Sequence, residues 1–137
     1  MNSTDLLVDA IRDHVEAVAP ATLATCSFVI RDQADDRTFP QVRVSERSIE
    51  EHEVIRGSYR ARVDATLRTN PEDTSDATHY AMVEELWGLV ADEDIERSLS
   101  SMNYLKCHDC RCSGPITEPE DGYRSTVLEL NVVFARQ

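Results

Sequence analysis

Glycine is scarce in this chain, with four in 137 residues, and they stand apart at Gly57, Gly88, Gly114 and Gly122. That spacing excludes a phosphate-cradling glycine loop and a dinucleotide fingerprint, both of which need clustered glycines. No HExxH, GxSxG or kinase signature is present. Lysine is rarer still: Lys106 is the only one, and arginine carries the remaining positive charge. With 26 acidic against 14 basic residues and a net charge of -12, the chain lacks the basic surface that neutralises phosphates, so sequence-independent nucleic-acid binding and docking on an anionic membrane are not expected. No apolar run approaches the roughly 20 residues of a membrane span. The first residues, MNSTDLLVDAIRDH, have no basic lead-in and carry acids among the apolar positions, unlike a signal peptide. A cytoplasmic site of synthesis and assembly is expected. The shortage of lysine fits a high-salt surface and a GC-rich genome equally well.

What is present is alternation. In Gly57–Arg68, Tyr59, Ala61, Val63, Ala65 and Leu67 share one parity, and Arg60, Arg62, Asp64, Thr66 and Arg68 the other. This predicts a long strand with one buried and one wet face. A second long strand is predicted from about Tyr123 to Phe134, with Thr126, Leu128, Leu130, Val132 and Phe134 on one face and Ser125, Glu129 and Asn131 opposite.

Helical spacing places Leu7, Ile11, Val15 and Val18 on the stripe of a first helix, capped by Ser3 or Thr4 and stopped by Pro20. A main helix is predicted over Asp76–Ala91, capped by Ser75 or Asp76, with Tyr80, Val83, Leu86, Trp87 and Val90 as its apolar stripe. A shorter helix, Glu93–Ser101, presents Ile95 and Leu99. Further strands are expected at Thr25–Ile30, Gln41–Ser45 and Tyr104–Cys112. Arg31–Thr38 and Ser113–Gly122 read as loops, and Ile49–Ile55 as a loop or a strand pairing through Gly57. The order implies one α+β domain: a mixed or antiparallel sheet of four to five strands with two to three helices on one face.

Three features invite a chemical reading. Cys107 and Cys110 have the CxxC spacing of a zinc half-site or a redox pair, and Cys26 or His108 could complete a ligand set. A second ligand pair is missing, and on a strand Cys110 and Cys112 would share one face with Cys107 on the other. Structural, metal-free cysteines are therefore expected. His14, His52, His79 and His108 are scattered, and a structural role is expected for His79. The acidic runs Glu50-Glu51-His52-Glu53 and Glu118-Pro119-Glu120-Asp121 lack the alternating pattern of a calcium loop. The row Arg60, Arg62 and Arg68 is either a wet sheet face balanced by Asp64 and Glu129, or an interface whose guanidinium forks grip carboxylates. Arg60, Arg62, Arg68, Asp64, Glu50 and Glu51 are the candidate interface residues. No catalytic, cofactor or metal residue is assigned.

The pattern as a whole resembles the tail-terminator (tail-completion) proteins of long-tailed phages and related viruses. An amphipathic first helix precedes a proline-led strand, Phe39-Pro40-Gln41-Val42-Arg43-Val44. A long alternating strand, Ser58–Thr69, is followed by a helix, Ser75–Val90, and by a closing strand of the type R-x-T-V-L-E-L-x-V, Arg124–Val132. The Cys107–Cys112 cluster departs from that pattern. The resemblance implies a non-enzymatic virion protein that forms a ring, typically a hexamer, on the head-proximal end of the tail tube. Such a ring stops tube growth and meets the head connector, and DNA passes through its lumen without specific binding. A stopper or adaptor of the neck is the neighbouring alternative. A small metal- or thiol-dependent enzyme using Cys107, Cys110 and His108 is the alternative of another class. Ring contacts are expected from the Arg31–Thr38 and Ser45–Arg56 loops and the arginine-bearing face.

Overall fold

A computed structural model describes residues 3–20, 22–30, 39–51, 57–90, 95, 99, 105–120 and 123–136. Helix α1 (Ser3–Val18) and a 3-10 turn (Leu23–Thr25) lead into strands β1 (Ser27–Ile30), β2 (Gln41–Glu51) and β3 (Ser58–Thr69). Helix α2 (Asp76–Val90) then precedes β4 (Leu105–Glu120) and β5 (Tyr123–Arg136). The strands form one sheet in the order β1-β2-β3-β5-β4. Only the β1–β2 pairing is parallel; the others are antiparallel. The class is the expected α+β fold.

The apolar parity of β3 and β5 builds the core. Ala61 faces Val132, Val63 faces Leu130 and Ala65 faces Leu128 across the pair, and all six are buried. β2 extends this layer through Val42 and Val44, opposite Leu67 and Ala65. Helix α1 packs on β1 and β2, and α2 on β3, β5 and β4. Leu7, Ile11 and Val15 of α1 are buried as their spacing predicts, but Val18, the last residue of the helix, is 48% exposed. On α2 the buried residues are His79, Met82, Val83, Leu86 and Val90. Tyr80, expected on the apolar stripe, is 52% exposed and stacks edge-on against His79. Trp87 is half-buried and packs against the core, and Ile95 and Leu99, both helical, are buried in it.

Ser75 supplies the α2 cap: its Oγ accepts the backbone N–H of Thr78 at 3.2 Å. Asn70 shapes the turn before it, its Oδ1 accepting the N–H of Glu72 at 3.0 Å. The cap of α1 and the Arg31–Thr38 segment fall outside the described residues or side chains.

Of the two alternatives for Ile49–Ile55, the strand holds as far as Glu51, and the segment from Ser113, expected as a loop, is strand as far as Glu120. β2 runs on through Ser45 to Glu51, antiparallel to β3, with a register shift between Glu46 and Ser48. That shift breaks the alternation, so the segment does not advertise itself. β4 continues from Ser113 to Glu120 despite Gly114, Pro115 and Pro119, with a second shift between Ser113 and Ile116. An edge strand tolerates proline and bulges where a central one does not.

Candidate functional site

The helices cover one face of the sheet. The other face carries the opposite parity: Arg60, Arg62, Asp64, Thr66 and Arg68 on β3, beside Val133, Asn131, Glu129, Val127 and Ser125 on β5. The arginines do not form one row. Arg68 is half-buried, with its guanidinium over the Tyr123 ring at 5.3 Å and Nη1 donating to Gln41 Oε1 at 3.5 Å. Tyr123 in turn stacks on Phe39, with centroids 5.3 Å apart. At this end Gln41, Thr66, Ser125 and Val127 are buried although they face away from the helices.

The middle of the face is held by an arginine that the sequence did not single out. Arg47 sits at the β2 register shift. It reaches both Asp64, at 3.1 Å, and Glu129, at 3.0 Å, tying three strands together. Asp64 and Glu129, expected to balance Arg60, Arg62 and Arg68, are thus engaged by Arg47. The local signal is an extra residue that interrupts an alternating pattern, which a bulge requires.

The far end is open. Arg60, Arg62, Asp109, Arg111, Asn131 and Val133 line a shallow depression of about 400 Å³ across β3, β5 and β4. Arg60, Arg62 and Arg111 are exposed. Arg111 Nε pairs with Asp109 Oδ2 at 3.1 Å, and the Arg111 side chain remains 82% exposed. Three arginines and one aspartate line it, on a chain of net charge -12. Glu50 stands opposite Arg60 in register, whereas Glu51 stands opposite Tyr59, on the other face. Of the six candidate interface residues, only Arg60 and Arg62 line the depression, with Glu50 beside them. Arg111 and Asn131 join them from strands distant in sequence.

The cysteine cluster is organised differently from expectation. The shift between Cys107 and Asp109 displaces His108 from the ladder. Cys107, Cys110 and Cys112 therefore stand opposite Phe134, Val132 and Leu130, all on the core side, instead of Cys107 lying alone. All three are half-buried against the core, and His108 is exposed. Cys26 adjoins β1 at the opposite edge of the sheet, so it does not complete a ligand set with them. Burial pushes the Cys112 thiol up to about 11, and burial with nearby Glu85 does the same for Cys26, which disfavours the thiolate that nucleophilic or metal chemistry uses. Among the described residues no three His, Cys, Asp or Glu are grouped to hold a metal ion.

His79 is fully buried between helix and sheet. Its Nδ1 lies 2.7 Å from Thr69 Oγ1 and its Nε2 2.8 Å from Thr126 Oγ1. Thr126 continues the chain to Thr117 Oγ1 at 3.3 Å. A neutral imidazole satisfies such a bridge, with one nitrogen donating and the other accepting. Burial, and then Arg124, lower its proton affinity, with Asp76 opposing in part. The arrangement braces α2 against β3 and β5.

No known family model matches this chain, and no curated protein matches it.

Proposed function

We propose that this protein is a structural, non-catalytic component of a virion tail, acting as a tail terminator. Copies form a ring, a hexamer by the family pattern, that caps the head-proximal end of the tail tube, stops tube polymerisation and meets the head connector. The observation that carries this reading is the helix-free face of the sheet, a wall of long strands that is polar and arginine-bearing at its open end. Such a wall presents side chains for joining copies of an acidic protein without burying a large apolar patch. The element order agrees with the family pattern: a first helix, a proline-led strand, a long alternating strand, a helix and a closing strand. The acidic balance suits a lumen through which DNA slides, since like charges repel.

The decisive experiment uses particles assembled without this protein. The expected result is tails of uncontrolled length that fail to join heads. Normal-length tails attached to heads would refute the reading, as would a particle map that places the protein away from both the tube end and the neck.

A further inference from the structure

The opening turns of α2 hang on one side chain. From Ser75 to Ala81 only His79 is buried; the residues on either side of it are exposed. We infer that His79 is a pH-sensitive latch: uptake of a second ring proton and release of the first turn of α2 from the sheet are one event, and the sheet outlasts it.

The geometry sets the coupling. Thr69 ends β3, Thr126 lies near the start of β5, and the ring bridges their hydroxyls at 2.7 and 2.8 Å. Through Thr126 the chain of hydroxyls continues to Thr117, which is exposed on edge strand β4. One imidazole thus joins the helix to three neighbouring strands at one end of the sheet. A neutral ring offers one donor and one acceptor; a doubly protonated ring offers two donors only. Both threonines must then accept from it and turn their own hydrogens elsewhere, around a cation that has been created in the interior.

The surrounding charges make that cation costly while the turn is closed. Arg124 of β5 donates from Nη1 to the Thr74 carbonyl at 3.0 Å and pairs through Nε with Asp76 at 2.9 Å. It holds the same helix end and repels a charged ring. Asp76, on the helix itself, opposes that repulsion, but its side chain is 77% exposed and already engaged by Arg124, so water screens it. Tyr80 meets the ring edge-on, and β3 and β4 contribute the neutral hydroxyls of Thr69 and Thr117 to the chain. Lifting the first turn brings water to the ring and leaves the strands paired, because Thr126 is held in register with Leu67 and Thr117 by the ladders themselves. An opening that exposes so little apolar surface belongs to the low-stability end of a fold.

The His79 amide reports the latch, since its N–H donates to the Ser75 carbonyl at 2.9 Å. The test is residue-resolved hydrogen exchange of the full chain, corrected for intrinsic rates, at about pH 8 and about pH 5, which bracket histidine titration. Each measurement is repeated in urea up to about 1 M, whose effect scales with the surface an opening exposes. The His79 amide is expected to exchange through an opening that urea scarcely affects and that becomes at least about tenfold easier at the lower pH. The core amides of Ala65 and Leu130 are expected to keep a steep urea dependence. His79→Gln, which does not titrate, is expected to lose the pH effect. Thr126→Val, which keeps its shape and lacks the hydroxyl, is expected to ease the same opening at least about fivefold at the higher pH. A His79 amide with the full urea dependence of the core overturns the latch, because the helix end then leaves only when the whole chain unfolds. An opening no easier at the lower pH overturns it too, as does a wild-type pH effect in His79→Gln or an unchanged opening in Thr126→Val.

Discussion

The two ends of the helix-free face have the same polarity in sequence and opposite fates in the fold. Near Arg68 the face is closed: an arginine lies over Tyr123, Tyr123 stacks on Phe39, and Thr66, Ser125 and Gln41 are buried. Six residues earlier on the same strand, Arg62 stands in solvent beside Arg60 and Arg111. The closed end is also braced from behind, because His79 bridges Thr69 and Thr126 on the helix side at the same level of the sheet. The contrast teaches that an alternating polar row does not by itself mean a wet surface. What decides is whether aromatic side chains lie close enough to cover it.

The comparison breaks most sharply at neighbouring residues of β3. Val63→Asp buries an unpaired charge in the core and is expected to cost more than about 4 kcal/mol, abolishing soluble folded protein. Arg62→Asp, one residue away and facing out, is expected to leave the thermal midpoint nearly unchanged. Equal losses for both variants would mean the two faces are wrongly assigned. At the braced end, His79→Ala removes a buried side chain and the imidazole partner of the Thr69 and Thr126 hydroxyls, an expected loss of about 2–4 kcal/mol in denaturant unfolding.

The same histidine predicts a pH dependence. Its proton affinity is lowered in the folded state, so the unfolded chain takes up the proton first as pH falls. The stabilisation is complete above the ordinary histidine value of 6.5 and is lost progressively below it. Unfolding curves measured between pH 8 and pH 5 (about the range a histidine spans) are expected to flatten in the His79→Ala variant. A variant with the wild-type slope would remove the clamp from the account. The smallest expected effect sharpens the comparison itself. Arg68→Ala, which uncovers Tyr123, is expected to cost about 1 kcal/mol, against less than about 0.5 kcal/mol for Arg62→Ala at the exposed end.

The fold was legible where alternation runs unbroken. In β3 and β5 the core parity is legible, and Ala61, Val63, Ala65, Leu67, Leu128, Leu130, Val132 and Phe134 are all buried, although Val127 and Val133 place apolar residues on the opposite parity. Legibility failed where a bulge resets the count. The shift at Arg47 left the second half of β2 open between loop and strand, and that after Cys107 turned its side chain to the core side. Gly114 and Pro115 made half of β4 read as a loop. Arg60 and Arg62 were visible as candidates from spacing alone. Arg111 and Asn131 were not, since only the sheet order β3-β5-β4 brings them alongside. Arg68 was grouped with them because a sequence does not reveal that Tyr123 lies over it.

β4 is the outermost strand at one side of the sheet and is 16 residues long, a length that invites aggregation when an edge is flat. This edge is not flat. Two register shifts kink it, Pro115 and Pro119 lack amide hydrogens, and Gly114 adopts φ +117 at a site where a Cβ would come within 3.0 Å of the Val127 carbonyl oxygen. A strand from another molecule therefore meets an interrupted ladder that it cannot extend by main-chain pairing. The edge is guarded against fibre-like stacking, which leaves any contact there to be chosen by side chains.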